Sequence, residues 1–249
     1  MKSRSGRVPR LFAAIDLTPG RSVELPAAAA HHAVRVLRLG AGDTVTLFNG
    51  RGGEHEARIA SVLRGRVEAQ VISRREVERE SPLAAILVQG IASGEKMDLI
   101  MQKAVELGVA AIQPVQCARS VARVPADRGA AKLAHWRRVV TAACEQCGRN
   151  RIPEVREAVT LDAYCARPGE ASLRVVLSPR AGPRFTDCIS ASARAIVLAA
   201  GPESGFDAAE ESLLVSAGFV PARLGPRILR AETAALAALA ALNALAGDY

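Results

Sequence analysis

The sequence predicts an α/β protein in two parts: a small β-rich module, then a larger domain in which short strands alternate with helices. Three observations predict it. Before residue 75 the apolar residues tend to alternate with polar ones, as in half-buried strands; after Pro82 they form short continuous runs separated by helical stretches. The charge divides the same way. Residues 1–75 carry 13 Lys and Arg against 6 Asp and Glu, and the remainder carries 20 against 19, in a chain of 249 residues with a formal net charge of +8. The junction, REVERESP, is charged and closes on a proline, as a linker does. The module is therefore expected over 1–75, the linker over 76–82 and the larger domain over 83–249.

In the module, DTVTLFNG, GEHEARIASVL and GRVEAQVISRR read as strands parted by the Gly-rich turns NGRGG and RG. LPAAAAHHAVRVLRL reads as one helix, opened by Pro26 and stopped by Gly40. A small β-barrel with a helix on it fits this pattern. In the larger domain, AAILVQG, AAIQPVQ, RVVLSP, AIVLAAG and FVPARLG suit buried parallel strands. EKMDLIMQKAVELG, AAKLAHWRRVVTAACEQCG and DAAEESLLVSAG are the helices between them, which makes an α/β domain. The Ala/Leu tail after Arg230 is a further helix, too weakly apolar to predict a membrane span. The opening MKSRSGRVPRLF lacks the apolar stretch of a secretory signal, so a cytoplasmic protein with no membrane partner is expected.

The basic module points to nucleic acid, with a solvated basic face as the plainer alternative. Only eight aromatic residues occur, which argues against base-stacking platforms. Five cysteines include one CxxC pair, Cys144 and Cys147, with no second pair to complete a zinc site, so no metal is expected. Chemistry is sought instead in three loops that follow predicted strands: LSPRAGP (177–183), AAGPESGF (199–206) and LGPRILRAET (224–233). Ligands of open α/β sheets lie beyond the carboxyl ends of the strands, so three such loops can converge on one small molecule. None is GxGxxG or GxxxxGK[ST], which disfavours a dinucleotide or a P-loop nucleotide. Arg227 and Arg230 enter the last helix at the positive end of its dipole, where cations are disfavoured. Lys103 with Glu106, and Asp98 with Gln102, have the spacing of ordinary helix-surface pairs. His31 and His32 are adjacent on a helix and point to different faces.

The stretches HHAVRVLRLGAGD, FNGRGGEHEA, MDLIMQKAVELGV, EQCGRNRIP, AAGPESGFDAAE and LGPRILRAETAAL run in one order along nearly the whole chain. Together they resemble the RsmE family of ribosomal RNA uridine-N3 methyltransferases. The resemblance implies a PUA-like RNA-binding barrel followed by a SPOUT α/β domain with a deep trefoil knot, working as a homodimer. It implies methylation of N3 of one uridine in 16S ribosomal RNA, within the assembled small subunit. S-adenosylmethionine would be the methyl donor, with no metal. It would be held by Leu177, Ser178, Gly201, Pro202, Glu203, Gly205, Leu224, Gly225, Ile228 and Leu229. Arg230, with Arg227 as a second candidate, would face the developing uracil anion or a phosphate, and Glu232 would orient an arginine. The alternative is a structural Arg230–Glu232 salt bridge, and either Glu232 or solvent would take the N3 proton. Arg149 would reach toward the substrate across the dimer interface. Arg7, Arg10, His32, Arg35 and Arg38 would position the RNA. One residue departs from the family pattern: Ser204 stands where glycine is usual. Serine costs about 1 kcal/mol if that position needs a positive φ, and nothing if it does not. An RNA-binding assembly factor that has lost donor binding is the rival reading.

Overall fold

The computed structural model describes residues 8–120, 126–167, 169, 171, 173–190 and 192–249. The chain forms two compact units. One comprises residues 1–80 together with 144–152; the other comprises 81–143 and 153–249.

The first unit is built on five strands: β1 (Arg10–Phe12), β2 (Ser22–Glu24), β3 (Thr44–Phe48), β4 (Glu54–Leu63) and β5 (Arg66–Arg75). They form one sheet in the order β1-β3-β4-β5-β2, with β1 parallel to β3 and the other pairings antiparallel. Among the described residues no pairing joins β1 to β2, so by its hydrogen bonds the expected barrel is an open mixed sheet. Val45, Leu47, Ala57, Ile59, Val67, Ala69 and Val71 alternate inward along β3, β4 and β5 and pack with Leu11, Ala29, Ala30 and Ala33. The expected helix is present in shorter form. Helix α1 (Ala27–His31) runs into a π turn over His32–Val36, in which Leu37 N–H bonds His32 O at 3.0 Å. The stop comes two residues before Gly40. Arg38 takes φ +57°, and Leu39 N–H reaches back across the π turn to Ala33 O at 2.9 Å, one residue wider than the six-to-one bond of a Schellman cap. Glycine is the favoured residue there, so the arginine costs about 1 kcal/mol of backbone strain.

Residues 144–152 belong to this unit through buried polar bonds. Arg10 donates to Asn150 Oδ1 at 2.7 Å and to Arg149 O at 3.2 Å, and forms an ion pair with Glu54. Glu54 also pairs with Arg75 at 2.9 Å and Arg79 at 3.4 Å. Residues 76–80, expected as a linker, are bonded here too: Glu80 accepts from Arg149 Nε at 2.8 Å and from Arg151 N–H at 3.1 Å.

The second unit holds a parallel sheet of β6 (Ala84–Gly90), β7 (Ala111–Gln116), β8 (Glu154–Val155), β9 (Val159–Thr160), β10 (Leu173–Leu177), β11 (Ala195–Ala200) and β12 (Val220–Ala222). Its order is β12-β10-β11-β6-β7-β8, with β9 also on β7. Every pairing is parallel. Pro114 lies mid-strand where the ladder between β7 and its outer neighbours is interrupted, and the Gln113 side chain bridges to Glu157 O at 2.9 Å. The helices are α2 (Gly94–Glu106), α3 (Gly129–Cys147), α4 (Leu161–Cys165), α5 (Phe185–Cys188), α6 (Ala208–Ser216) and α7 (Ala231–Ala246). The last turn of α3 falls in the stretch grouped with the first unit. Helix α7 buries Ala235, Ala238, Leu239, Leu242 and Asn243. Asn243 accepts from the Ser81 hydroxyl at 2.8 Å and donates to Leu107 O at 2.7 Å, so the one polar residue of that face is satisfied. The Lys103–Glu106 pair forms at 2.8 Å, but Asp98 pairs with His135 at 2.7 Å rather than with Gln102.

Burial alone would raise the Glu54 carboxyl pKa. The Arg10 hydrogen bond and the charges of Arg10, Arg75 and Arg79 outweigh it and hold it below the usual carboxylate value. Glu54→Gln leaves the buried Arg10 guanidinium without its counter-charge and should destabilise the unit by about 3 kcal/mol. The exposed neighbour Glu56→Gln should change stability by less than about 0.5 kcal/mol. Urea midpoints of the two variants check this; equal midpoints would contradict it.

Candidate functional site

The parallel sheet puts the carboxyl ends of β10, β11 and β12 on one edge, on three adjacent strands. The three Pro- and Gly-punctuated loops leave the sheet there. Past β10, Ser178 N–H bonds Ala222 O at 2.9 Å, while the buried Ser178 hydroxyl donates to Glu211 Oε1 at 3.0 Å. Past β12, Arg223 bonds the end of the loop after β10 in both directions, its N–H donating to Pro183 O at 3.0 Å and its carbonyl accepting from Phe185 N–H at 2.9 Å. These bonds lock two of the loops together by their main chains.

The third loop, Gly201–Phe206, lies over the end of β6. A Cβ on Gly90 would come within 2.5 Å of Pro202 N, and one on Gly201 within 2.8 Å of Phe206 N, so both positions require glycine. Gln89, fully buried one residue earlier, donates to Gly201 O at 3.2 Å and to Gly90 O at 2.9 Å. Glu203 accepts from Ser93 N–H at 2.9 Å and from Lys96 Nζ at 3.3 Å, which sets a carboxylate at the positive end of α2. Burial works to raise its pKa, but the Ser93 N–H and hydroxyl, its own N–H and Lys96 outweigh this and hold it at about 2. Ser204 is not a positive-φ residue; the left-handed position is Gly205, at φ +69°. The serine therefore carries no backbone strain, and its hydroxyl donates to Arg119 O at 2.9 Å.

The LGPRILRAET loop is the most open part. Gly225 takes φ +101° and Ile228 is 86% exposed. Leu177, Leu224 and Leu229 are half-buried, and Arg227 and Arg230 are exposed. Arg230 is the N-cap residue of α7 and gives no side-chain cap. Among the described residues it makes no salt bridge with Glu232. Glu232 stands in the first turn of α7, with Oε2 buried and unpartnered among the described residues. No group of three or more His, Cys, Asp or Glu side chains among the described residues is placed to hold a metal.

The expected RNA-positioning residues divide. Arg35 and Arg38 are exposed on the first unit, and His32 is half-exposed, 3.3 Å from Glu145. Arg10 is turned inward, with its guanidinium committed to Glu54, Asn150 and Arg149 O. Arg7 lies outside the described residues. Arg149, expected to reach toward a substrate, is 6% exposed, lies between the buried Gly148 and Asn150, and is bonded to Glu80. Sequence reading assigned no role to Gln89, Lys96 or Arg119. Their only signal is position: Gln89 at the carboxyl end of β6, Lys96 in the first turn of α2, and Arg119 just past β7.

A depressed carboxylate stabilises the fold above its unfolded pKa and loses that contribution as pH falls through the folded value. Glu203→Gln should thus lower Tm by a constant amount from neutral pH to about pH 5, and the deficit should shrink from about pH 4.5 toward 2. A deficit that disappears before pH 5 would contradict the Glu203 bonds.

Comparison with known proteins agrees with this architecture. The chain matches the RNA methyltransferase PUA domain over residues 25–72 and the RNA methyltransferase domain over 79–243. It is 32% identical over 242 residues to ribosomal RNA small subunit methyltransferase E of Buchnera aphidicola from Schizaphis graminum, covering 97% of this chain and 98% of that one. It is 31% identical to the Bacillus subtilis protein of that name, covering 86% of each. Among solved structures, ribosomal RNA small subunit methyltransferase E from Neisseria gonorrhoeae, bound to S-adenosyl methionine, matches with a TM-score of 0.89 at 39% identity, over 98% of this chain and 100% of that one. A Legionella pneumophila protein in complex with the bound cofactor SAM matches with a TM-score of 0.94 at 40% identity, over the same shares. On the extent of these matches, the chain belongs to the ribosomal RNA small subunit methyltransferase E family.

Proposed function

We propose that this protein transfers a methyl group from S-adenosylmethionine to N3 of a uridine in 16S ribosomal RNA, within the assembled small subunit. The observation that carries the reading is the gathering of 177–183, 201–206 and 224–230 at one edge of a parallel sheet, from adjacent strands. That edge suits the donor. The close packing of the Gly201–Pro202 backbone on Gly90 fixes the central loop there, and Leu177, Leu224, Ile228 and Leu229 offer apolar surface. The buried, unpartnered Glu203 Oε2 is an acceptor for a ligand's amino or hydroxyl group. The bound donor supplies an electrophilic methyl on a sulfonium.

The residues of this chain have two remaining tasks, to orient the uracil and to manage its N3 proton. Positioning of this kind supplies much of a methyl transfer's rate. Arg230, exposed and without an ion pair among the described residues, is placed to stabilise the anion that forms when N3 loses its proton. Glu232 Oε2, buried and unpartnered two residues on, is the atom to hold that proton. An arginine at a helix N-terminus opposes the dipole by a few tenths of a kcal/mol, and an anionic ligand offsets this. Arg227, equally exposed, is suited to a flanking phosphate.

We further propose that the chain between β10 and α7 forms the family's trefoil knot and that two protomers pair over the 224–230 loop, acting in the cytoplasm. The near-complete exposure of Ile228 supports an apolar cover there. No helix among the described residues is long and apolar enough to cross a membrane.

Arg230→Ala should lower kcat for methyl transfer to small subunits by at least about a hundredfold. The variant should keep its Tm and its stabilisation by S-adenosylmethionine. Tritium transfer from labelled donor, with thermal melts in its presence, tests this. Near-normal turnover would sink the role of Arg230, and no donor-dependent rise in Tm of the unaltered protein would sink the methyltransferase reading.

A further inference from the structure

The turn Cys117–Ser120 follows β7 on the sheet edge that carries the donor loops. It is closed on itself by Cys117 N–H to the Ser120 hydroxyl and Ser120 N–H to Cys117 O, both at 3.2 Å. It is also fastened from outside, at two consecutive backbone groups. Ala118 N–H donates to Glu210 Oε1 at 2.7 Å, and Arg119 O accepts from the Ser204 hydroxyl at 2.9 Å. Glu210 is itself buried and fixed in a capping box with Asp207 at 2.9 and 3.0 Å. The loop carrying Ser204 leaves β11, two strand spacings from β7, so it spans about 10 Å along the edge to make that bond. Glycine, usual at position 204 in the family pattern, has no hydroxyl with which to make it.

The result is a rigid turn with an arginine near its apex. The Arg119 side chain is exposed and has no ion pair or hydrogen bond among the described residues. The two glutamates of this network have partners of their own, Glu210 in the N–H groups of Ala118 and Asp207, and Glu203 in Ser93 and Lys96. A guanidinium on a turn held by four hydrogen bonds, without an ion pair among the described residues, is suited to an external anion. A planar fork of donors favours phosphate oxygens.

We propose that Arg119 binds a phosphate of the substrate RNA beside the target nucleotide, and that Ser204 is a positioning residue that fixes Arg119 relative to the donor loop. This rests on the methyltransferase reading above. The test uses the full-length protein as Arg119→Ala, Ser204→Ala, Ser204→Thr and the double variant Arg119→Ala/Ser204→Ala. Methyl transfer is measured on small ribosomal subunits lacking 3-methyluridine, and binding on 16S ribosomal RNA across a salt series. Arg119→Ala should raise KM about tenfold, with a smaller change in kcat, and reduce the salt slope of binding by about one. Ser204→Ala should raise KM about threefold, Ser204→Thr should restore it, and the double variant should be no worse than Arg119→Ala alone.

An unchanged KM and salt slope in Arg119→Ala would overturn the phosphate contact. A Ser204→Ala effect that persists in full without Arg119, or that falls on S-adenosylmethionine affinity, would overturn the positioning role. If the unaltered protein transfers no methyl group, the reaction is refuted, while the salt slope still decides the Arg119 contact.

Discussion

The carboxyl end of β6 has no room for a side chain at Gly90, because the Gly201–Pro202 backbone lies against it. That close approach holds the GPESGF loop over the sheet edge, and much of the candidate site follows from it. With Pro202 seated there, Glu203 reaches the amino end of α2 and Ser204 reaches the turn after β7. One six-residue loop thereby ties together the ends of β11, β6 and β7, while backbone bonds between the loops after β10 and β12 tie those two strands to each other. The edge is thus preorganised by main-chain geometry and a few short polar bonds, which suits a ligand read largely by its shape and hydrogen-bonding edges.

Charge is used in two distinct ways. In the first unit, arginines serve as structural cations: Arg10 and Arg149 are buried, and their partners Glu54 and Glu80 gather the ends of β4 and β5 with residues 148–151. At the sheet edge of the second unit, Arg119, Arg227 and Arg230 are exposed and have no such partners among the described residues. Cations left unneutralised around a glycine-rich cradle are the pattern expected where a polyanion meets a small-molecule donor. Arg38, kept at φ +57° where glycine would be unstrained, extends the same pattern to the basic unit.

The strand–helix rhythm and the three ligand loops were legible in the sequence, because Gly and Pro punctuation and apolar runs are local signals. The family pattern added the donor and the reaction. Long-range pairing was not legible. Glu203 and its partners Ser93 and Lys96 are more than a hundred residues apart, so nothing local separates a loop-anchoring lysine from a surface one. Arg10 and Arg149 show the same limit from the other side, since a sequence displays a charge but not its burial. The Ser204 question, by contrast, was posed by the sequence and answered by one backbone angle: the strained position belongs to Gly205. Short β1 and β2 and the helix ending at Arg38 were missed because three-residue strands carry no period and arginine is no helix stop.

The central claim is that the loops at this sheet edge direct a methyl group onto N3 of a uracil in ribosomal RNA. Its most direct measurement is nucleoside mass spectrometry of small-subunit RNA lacking the modification, after incubation with the purified protein and S-adenosylmethionine. The account predicts 3-methyluridine that depends on both protein and donor. A different methylated nucleoside, or none despite demonstrated donor binding, would contradict it.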